Sequence, residues 1–237
     1  MPDSPIAIIT GAGSGIGRAA AMQLASDGWR CALVGRRTDR LDETAAQIHA
    51  RSSSAPALIV AADLGEPATA DRIVTAVAQK WGGRIDALIN NAAVLHIGPI
   101  REASEEAIRD SFEINTIAPT RLVQRVWPIM ARQRRGRIIN VSSIASIDPF
   151  PGLGVYGMSK CALEGLTHAI NTEGRADGIL AFSLVLGAVE TEMLRRVVSE
   201  KDLPRDQVQS PQKVARVIAE CARGERDAEA GKANILT

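Results

Sequence analysis

Short apolar runs alternate with longer amphipathic segments along the chain. Seven runs are almost continuously apolar, which is typical of strands that are covered on both faces. They lie at 6–10, 30–34, 57–61, 85–90, 137–142, 179–186 and 233–236. Six segments with helical periodicity lie between them, at 15–27, 40–50, 69–81, 104–132, 155–174 and 211–223. This alternation predicts an α/β fold, a doubly wound parallel seven-stranded sheet with helices on both faces.

Length and charge fit one such unit. A chain of 237 residues suits a single domain over 1–237, with a surface loop at 52–54. Its 28 Lys and Arg residues balance 27 Asp and Glu residues, so no strong field would attract nucleic acid or an anionic membrane. We therefore expect neither as a partner.

Cysteine content and hydropathy bear on metal binding, membrane insertion and cellular compartment. Cys31, Cys161 and Cys221 are isolated, and their spacing does not resemble a metal site, so we expect no metal and three reduced, buried thiols. No apolar run approaches the roughly 18 residues of a membrane span. The N-terminal residues lack the pattern of a signal peptide. Together these features predict a cytoplasmic protein.

A glycine-rich segment directly follows the first predicted strand. Gly11, Gly15 and Gly17 have the spacing G-x-x-x-G-x-G, and a helix is predicted to begin within the segment. Glycines allow a tight turn and close backbone approach to a pyrophosphate, and a helix N-terminus offers free N–H groups to the anion. We therefore predict a nucleotide site that includes Ser14 and Ile16.

The end of the second strand favours NADP(H) over NAD(H). Dinucleotide-binding folds that use NAD usually place a carboxylate here, but this chain has Gly35 followed by Arg36 and Arg37. Guanidinium groups can bind a 2′-phosphate in a bidentate way. A solvated pair of surface arginines is the alternative. Asp63 and Leu64, after the third strand, lie near the adenine in one interpretation, while Asp63 caps a turn in the other.

Four polar residues form a candidate catalytic set. Tyr156, the single tyrosine, and Lys160 lie one helical turn apart, and we expect the ammonium to lower the pKa of the phenol. Ser143 ends the fifth strand, where its hydroxyl could donate to a substrate carbonyl. Asn115 lies inside a predicted helix, although Asn is a middling helix former. Packing, backbone capping and solvent exposure are the alternative roles for these side chains.

In this order and spacing, the motifs resemble the compact, single-domain short-chain dehydrogenases/reductases along essentially the whole chain. The matching segments are T-G-x-x-x-G-I-G at 10–17, N-N-A-A at 90–93 instead of the usual N-N-A-G, Asn115, Ser143, and Y-x-x-x-K at Tyr156 and Lys160. The resemblance implies an oxidoreductase that transfers a hydride between NADP(H) and a small-molecule carbonyl compound or secondary alcohol.

The resemblance also implies a role for each residue. Tyr156 would be the general acid in reduction and the base in oxidation, and Lys160 would tune Tyr156 and hold the nicotinamide ribose. Ser143 would orient the substrate oxygen, and Asn115 would position a water that relays protons through Lys160. The residues expected along the cofactor are Asn91, Ala92, Val189 and Thr191, with Thr191 near the nicotinamide carboxamide.

The chain departs from the family pattern after the sixth strand. Leu186 replaces the usual proline, which frees φ, adds an N–H and predicts a looser or differently shaped wall around the nicotinamide. The sequence ends near the last strand, so we expect no C-terminal tail across a subunit interface. A non-catalytic nucleotide-binding sensor or scaffold is the alternative function. A sugar-nucleotide epimerase would need a larger C-terminal domain.

Substrate and assembly are predicted only by class. The expected pocket is mostly apolar, and its residues are Ile144, Ala145, Phe150, Leu153, Val155, His96, Leu186 and Met193. This set is compatible with a ketone, a cyclic alcohol, a steroid-like compound or a carrier-bound 3-oxoacyl group. The helices at 104–132 and 155–174 carry further apolar positions, Ile117, Val123, Leu163 and Leu166. By the resemblance, these helices pair between subunits of a homodimer or homotetramer.

Overall fold

A computed structural model describes residues 4–51 and 57–236, so the loop predicted at 52–54 lies outside the described residues. The strands are β1 Ile6–Thr10, β2 Arg30–Gly35, β3 Ala57–Ala61, β4 Ala87–Asn90, β5 Gly136–Ser143, β6 Ile179–Leu186 and β7 Ala233–Leu236. They form one sheet with the order β3-β2-β1-β4-β5-β6-β7, in which neighbouring strands are parallel. The predicted doubly wound α/β sheet is confirmed.

Helices cover both faces of the sheet. They are α1 Gly15–Ser26, α2 Thr38–Arg51, α3 Thr69–Trp81, α4 Glu105–Phe112, α5 Ala118–Gln133, α6 Gly154–Gly174, α7 Glu192–Val197 and α8 Pro211–Arg223. On one face, α1, α2 and α8 share an apolar core with Ile9. On the other, α3, α5 and α6 pack with Ile8. Because adjacent strand residues enter different cores, the strands read as continuous apolar runs.

The helix predicted over 104–132 is interrupted. A π turn, Glu113–Ile117, separates α4 from α5, and the prediction of one continuous α-helix is wrong. Asn115 lies in this turn and is fully buried. Its side-chain oxygen accepts a hydrogen bond from the backbone N–H of Val94 at 2.8 Å, so a tertiary contact accompanies the departure from α-helical geometry. Such turns are frequent at functional sites.

The fourth strand is shorter than predicted, and side chains add hydrogen bonds just before it begins. The backbone N–H of Ile85 donates to Gln133 Oε1 at 3.0 Å. The Asp86 carboxylate accepts from the backbone N–H of Ile6 at 2.8 Å. The backbone N–H of Asp86 also donates to Ile6 O at 2.9 Å, and the paired register with β1 begins at Ala87.

Some predicted exposures are wrong. Cys31 and Cys221 are buried, but Cys161 is exposed because it lies on the outer face of α6. Val123 and Leu163 are 4% and 1% exposed, so they pack within the subunit and cannot belong to an interface stripe. Ile117, at 40% exposed, remains accessible.

Residues 4–51 and 57–236 contain neither a membrane-spanning helix nor a cluster of metal-ligating side chains. Within these ranges, no helix is long and apolar enough to cross a bilayer. The same residues contain no group of three or more His, Cys, Asp or Glu side chains that could hold a metal ion.

Candidate active site

A cleft of about 900 Å³ lies at the carboxyl ends of the strands, the edge where open parallel sheets bind ligands. Most of the predicted site residues line it: Gly11, Ser14, Gly15, Ile16, Arg36, Arg37, Asp63, Leu64, Asn91, Ala92, Ser143, Tyr156, Lys160, Val189 and Thr191. Gly17 and Asn115 lie behind this wall. The topology thus brings the glycine-rich segment and the candidate catalytic residues to one cavity.

The glycine-rich segment is packed too closely for side chains. A Cβ at Gly17 would lie 2.3 Å from Gly11 O and 2.5 Å from Asn91 Nδ2. Gly11 adopts φ +67° and Gly15 φ +50°, which favour glycine. Gly17 therefore serves the packing of the loop, whereas Gly11 and Gly15 expose backbone to the cleft.

The segment after β4 holds the glycine loop in place. Thr10 Oγ1 accepts hydrogen bonds from the backbone N–H groups of Asn91 and Ala92, both at 3.0 Å. In return, Asn91 Nδ2 donates to Thr10 O at 2.8 Å. The Asn91 side chain is thus used to join β1 to β4, and the backbone of Asn91 and Ala92 forms the cleft wall.

The first turn of α1 can accept an anion. Ser14 is the N-cap residue in an extended conformation, and within the described chain its hydroxyl makes no hydrogen bond to that turn. The first N–H groups of α1 are therefore left to a ligand at the cleft. Arg18 Nη2 donates to Gly13 O at 2.5 Å, which ties the loop to α1. The glycine loop leaves no room for added Cβ atoms and opens onto a helix N-terminus. It therefore fits a dinucleotide pyrophosphate.

Three arginines line the cleft beside the glycine-rich segment. Arg36 and Arg37 are exposed at its edge. Arg40, which the sequence reasoning missed, also lines the cleft, and its Cβ is 2.9 Å from the Cβ position of Gly13. Its closeness in sequence to Arg36 and Arg37, in the first turn of α2, was the available signal.

Asp63 caps a turn and also lines the cleft. Its Oδ1 accepts a hydrogen bond from the backbone N–H of Gly65 at 2.9 Å, so it caps a turn. It also lines the cleft together with Leu64. The two interpretations of this residue are therefore compatible.

Tyr156 and Lys160 face the cleft from α6. Lys160 is 2% exposed, its Nζ donates to Val141 O at 2.8 Å, and Nζ lies 5.6 Å from the centre of the Tyr156 ring. Burial raises the pKa of Tyr156 to about 12, while a hydrogen bond with Ser143 acts in the opposite direction. The expectation of a lowered Tyr156 pKa is therefore wrong for the chain itself, because the loss of solvation outweighs the other influences.

Ser143 and Asn115 are held by backbone contacts. Ser143 Oγ accepts from the backbone N–H of Ala145 at 3.2 Å and caps the short helix Ile144–Ser146. Asn115 Nδ2 donates to Val94 O at 3.0 Å and to Ser159 Oγ at 2.9 Å. Both hydrogens of the Asn115 amide are thus engaged, so its side chain fixes α6 and the segment after β4 relative to the π turn.

The family of the chain follows from its similarity to known proteins. A family profile described as short chain dehydrogenase matches residues 5–202. The chain belongs to this family. It is 32% identical to dehydrogenase/reductase SDR family member 4 of Bos taurus over 223 residues, which are 93% of this chain and 78% of that protein. Like its relatives, this short-chain dehydrogenase is an NAD(P)-dependent oxidoreductase.

Solved structures support the same assignment. Levodione reductase superposes with a TM-score of 0.92 at 25% identity, over 98% of this chain and 95% of that chain. L-sorbose reductase from Gluconobacter frateurii, solved with NADPH and L-sorbose, gives 0.89 at 27% identity, over 98% and 95%. The short-chain dehydrogenase fold therefore covers nearly the entire chain.

The remaining wall of this short-chain dehydrogenase is mainly apolar. Six residues line it as predicted, namely Ile144, Ala145, Phe150, Leu153, Leu186 and Met193. Two predicted residues lie elsewhere: Val155 is buried in the protein interior, and His96 Nε2 lies 2.6 Å from Asp110 Oδ2 outside the cleft. Sequence reasoning missed Leu95, Leu194, Val197 and Leu203, which come from loops and a short helix with little periodicity.

Leu186, which stands in place of the usual proline, continues a regular strand. It pairs with Ser143 on β5 and with Leu236 on β7. The next residue, Gly187, donates its N–H to Leu236 O at 2.9 Å. In this short-chain dehydrogenase, β7 therefore supports the wall where proline would otherwise restrict the backbone.

Proposed function

We propose that this short-chain dehydrogenase transfers a hydride between NADP(H) and an uncharged carbonyl compound or secondary alcohol. The observation that carries the proposal is the meeting of Ser143, Tyr156 and Lys160 in the same cleft as the glycine loop. Bound NADP(H) would supply or accept the hydride. The loop at Gly11 and Gly15 and the start of α1 would hold its pyrophosphate.

Tyr156 acts on the substrate oxygen in this proposal. A pKa of about 12, raised by burial, keeps the phenol protonated near neutral pH, so it can donate a proton during carbonyl reduction. Ser143 donates a hydrogen bond to the same oxygen and so polarises the carbonyl. In alcohol oxidation the two side chains act in reverse.

Lys160 and Asn115 support that proton transfer. Burial lowers the pKa of Lys160 to about 8, with Glu164 acting in the opposite direction, so the ammonium predominates at neutral pH. It can hold the nicotinamide ribose and exchange protons with a water. Because the Asn115 side chain is engaged with Val94 and Ser159, Asn115 would contact that water through the backbone of the π turn.

The coenzyme preference rests on charge. Arg36, Arg37 and Arg40 line the cleft where the adenosine would bind, and Gly35 occupies the position where a carboxylate would repel a 2′-phosphate. L-sorbose reductase, which shares the fold, was solved with NADPH. Val189 and Thr191 also line the cleft and would contact the nicotinamide side. Thr191 also caps α7 by accepting from the backbone N–H of Leu194 at 3.1 Å.

The apolar wall selects an uncharged substrate. Phe150 and Val197, 63% and 41% exposed, extend apolar surface to the mouth of the cleft. Desolvating a carboxylate or phosphate against such a wall without a paired cation is costly. Ketones with apolar rings or chains fit this surface, and anionic 2-oxo acids do not.

A matched substrate panel tests the proposal. Purified protein is assayed by coenzyme absorbance with NADPH or NADH and with ketone pairs that differ only in a carboxylate. We expect reduction of the uncharged member with NADPH and little turnover of the charged member. Tyr156→Phe protein controls for contaminating reductases. Absence of turnover with every carbonyl and alcohol tested, in a protein that binds NADPH, would contradict the proposed reaction.

A further inference from the structure

Glu164 lies on α6 one turn beyond Lys160, and its carboxylate is tied to the sheet. Ser183 Oγ on β6 donates to Glu164 Oε1 at 2.6 Å. Ser183 is 1% exposed, and Glu164 is half-buried. Glutamate side chains on helices usually extend into solvent, so this contact is a specific feature of the site.

The buried ammonium group of Lys160 would be stabilised by a nearby negative charge. It is 2% exposed, and its hydrogen bond to Val141 O is made with a neutral carbonyl. A buried ammonium is unfavourable unless an opposite charge lies nearby. Burial lowers the pKa of Lys160 to about 8, and the Glu164 carboxylate opposes this effect.

Other charged groups around α6 are engaged elsewhere. Most of the acidic residues on the helix's own ends and on the packed elements are bound to a base: Asp110 to His96, Glu105 to Arg109, Glu113 to Arg121, Asp177 to Arg134, and Asp227 to Arg137 of β5. The remaining charged or titratable residues on α6 and on α4, α5 and the short helix Arg175–Asp177 are Tyr156, Cys161, His168, Glu173, Glu106, Arg125, Arg132 and Arg175. β6 carries only uncharged residues. Glu164 is thus the carboxylate placed to act on Lys160.

We propose that Glu164, anchored by Ser183, is a positioning residue that supplies the counter-charge for Lys160. The inference rests on the proposed function, because Glu164 acts through the role of Lys160 at Tyr156 and the ribose. Since Tyr156, Lys160 and Glu164 follow one another at four-residue intervals, they share one face of α6. Loss of the carboxylate makes Lys160 release its proton at lower pH, and the site then loses its ammonium in the alkaline range.

The test compares Glu164→Gln, Glu164→Asp and Ser183→Ala with the unmodified protein. Two quantities are measured, the pH dependence of kcat and kcat/KM and the titration of the Lys160 ammonium by NMR of nitrogen-labelled lysine. We expect Glu164→Gln to move both the alkaline limb of kcat and the NMR midpoint down by about one pH unit, the usual scale for a nearby charge. Ser183→Ala should shift both in the same direction by less, and Glu164→Asp should restore part of the effect. Glu173→Gln, an exposed substitution on the same helix, should change neither.

Two outcomes overturn the proposal. One is an unchanged Lys160 midpoint in folded Glu164→Gln protein. The other is an equal loss of kcat at every pH with an unshifted profile, which indicates a purely structural role. If the proposed reaction itself is wrong, the unmodified protein has no turnover, yet the NMR titration still reports on Glu164 and Lys160. Failure of the inference and failure of the function are therefore distinguishable.

Discussion

Arg37 Nη2 lies 3.9 Å from Glu192 Oε2, so the end of β2 meets the first turn of α7 at the mouth of the cleft. The side chains are 55% and 68% exposed. An ion pair this open contributes little to stability and is screened by salt. Arg37 can therefore exchange Glu192 for a coenzyme phosphate.

Replacing Arg36 and Arg37 together by alanine should raise the KM for NADPH by about 10- to 100-fold, since each charge-assisted bond to a phosphate contributes modestly at an exposed site. The KM for NADH should stay almost unchanged. Steady-state kinetics with both coenzymes measure the effect, and Arg109→Ala, a distant exposed arginine, is the control. An equal loss with both coenzymes would show that the two arginines serve the fold.

Tyr156→Phe should lower kcat by about 10²-fold or more, because the phenol is the proton donor in the proposed reaction. Coenzyme affinity, measured by fluorescence titration, should remain near that of the unmodified protein. Ser143→Ala provides a comparison in which the proton donor is kept and one hydrogen bond to the substrate oxygen is lost. Near-normal turnover of the phenylalanine variant would rule out the proposed acid.

Lys160→Met should stabilise the chain in the absence of ligand. Below pH 8 the folded protein carries a buried ammonium, whose pKa is lowered by burial from 10.5 to about 8. This pKa shift destabilises the folded parent protein by about 3 kcal/mol. The methionine variant also loses the hydrogen bond to Val141 O, so its expected net gain in the free energy of unfolding is about 2 kcal/mol. Between pH 8 and 10.5 the folded state has released the proton while the unfolded state retains it, so the parent protein gains stability with pH.

The advantage of the methionine variant should therefore be largest below pH 8 and shrink as the pH approaches 10.5. Denaturant unfolding of both proteins across this range gives the difference, in which the other titrations cancel. An advantage that is constant with pH would mean that Lys160 is not buried as a charge.

The chain should assemble through the outer faces of α6 and of the π turn that precedes α5. Ile117 and Met158 are 40% and 49% exposed, and apolar surface of this kind on paired helices is suited to a two-fold interface. Met158→Glu should shift sedimentation at micromolar concentration from a dimer or tetramer toward the monomer, with circular dichroism unchanged. A parent protein that sediments as a monomer would contradict this prediction.

The sheet could be predicted because strands that are buried on both faces appear in the sequence as continuous apolar runs. Each β-strand was recognisable as an apolar run, and residues at carboxyl ends, such as Ser143, necessarily gather at one edge of a parallel sheet. The spacing of Tyr156 and Lys160 likewise fixed their common helix face. The periodicity of the chain can be read from neighbouring residues, and the handedness of the connections follows a rule common to parallel sheets. These features could therefore be predicted without knowledge of distant contacts.

The parts that could not be predicted depend on contacts between distant segments. The π turn accompanies the contact of Asn115 with Val94, which lie far apart in sequence. The raised pKa of Tyr156 depends on the whole wall that buries it. Arg40 joins the cleft only because α2 packs against the glycine loop at Gly13. No local pattern encodes these distances.

The π turn at Glu113–Ile117 also makes the chain length at this point adjustable. A π turn holds one residue more than the α-helix it interrupts, so deleting Thr116 would let the two helices fuse while both keep their apolar sides toward the sheet. Such a deletion would remove the hydrogen bond from Thr116 Oγ1 to Ser159 O and displace Asn115 from Val94. The contacts of Asn115 could thus be changed by the loss of one codon, without altering the residues that form the sheet.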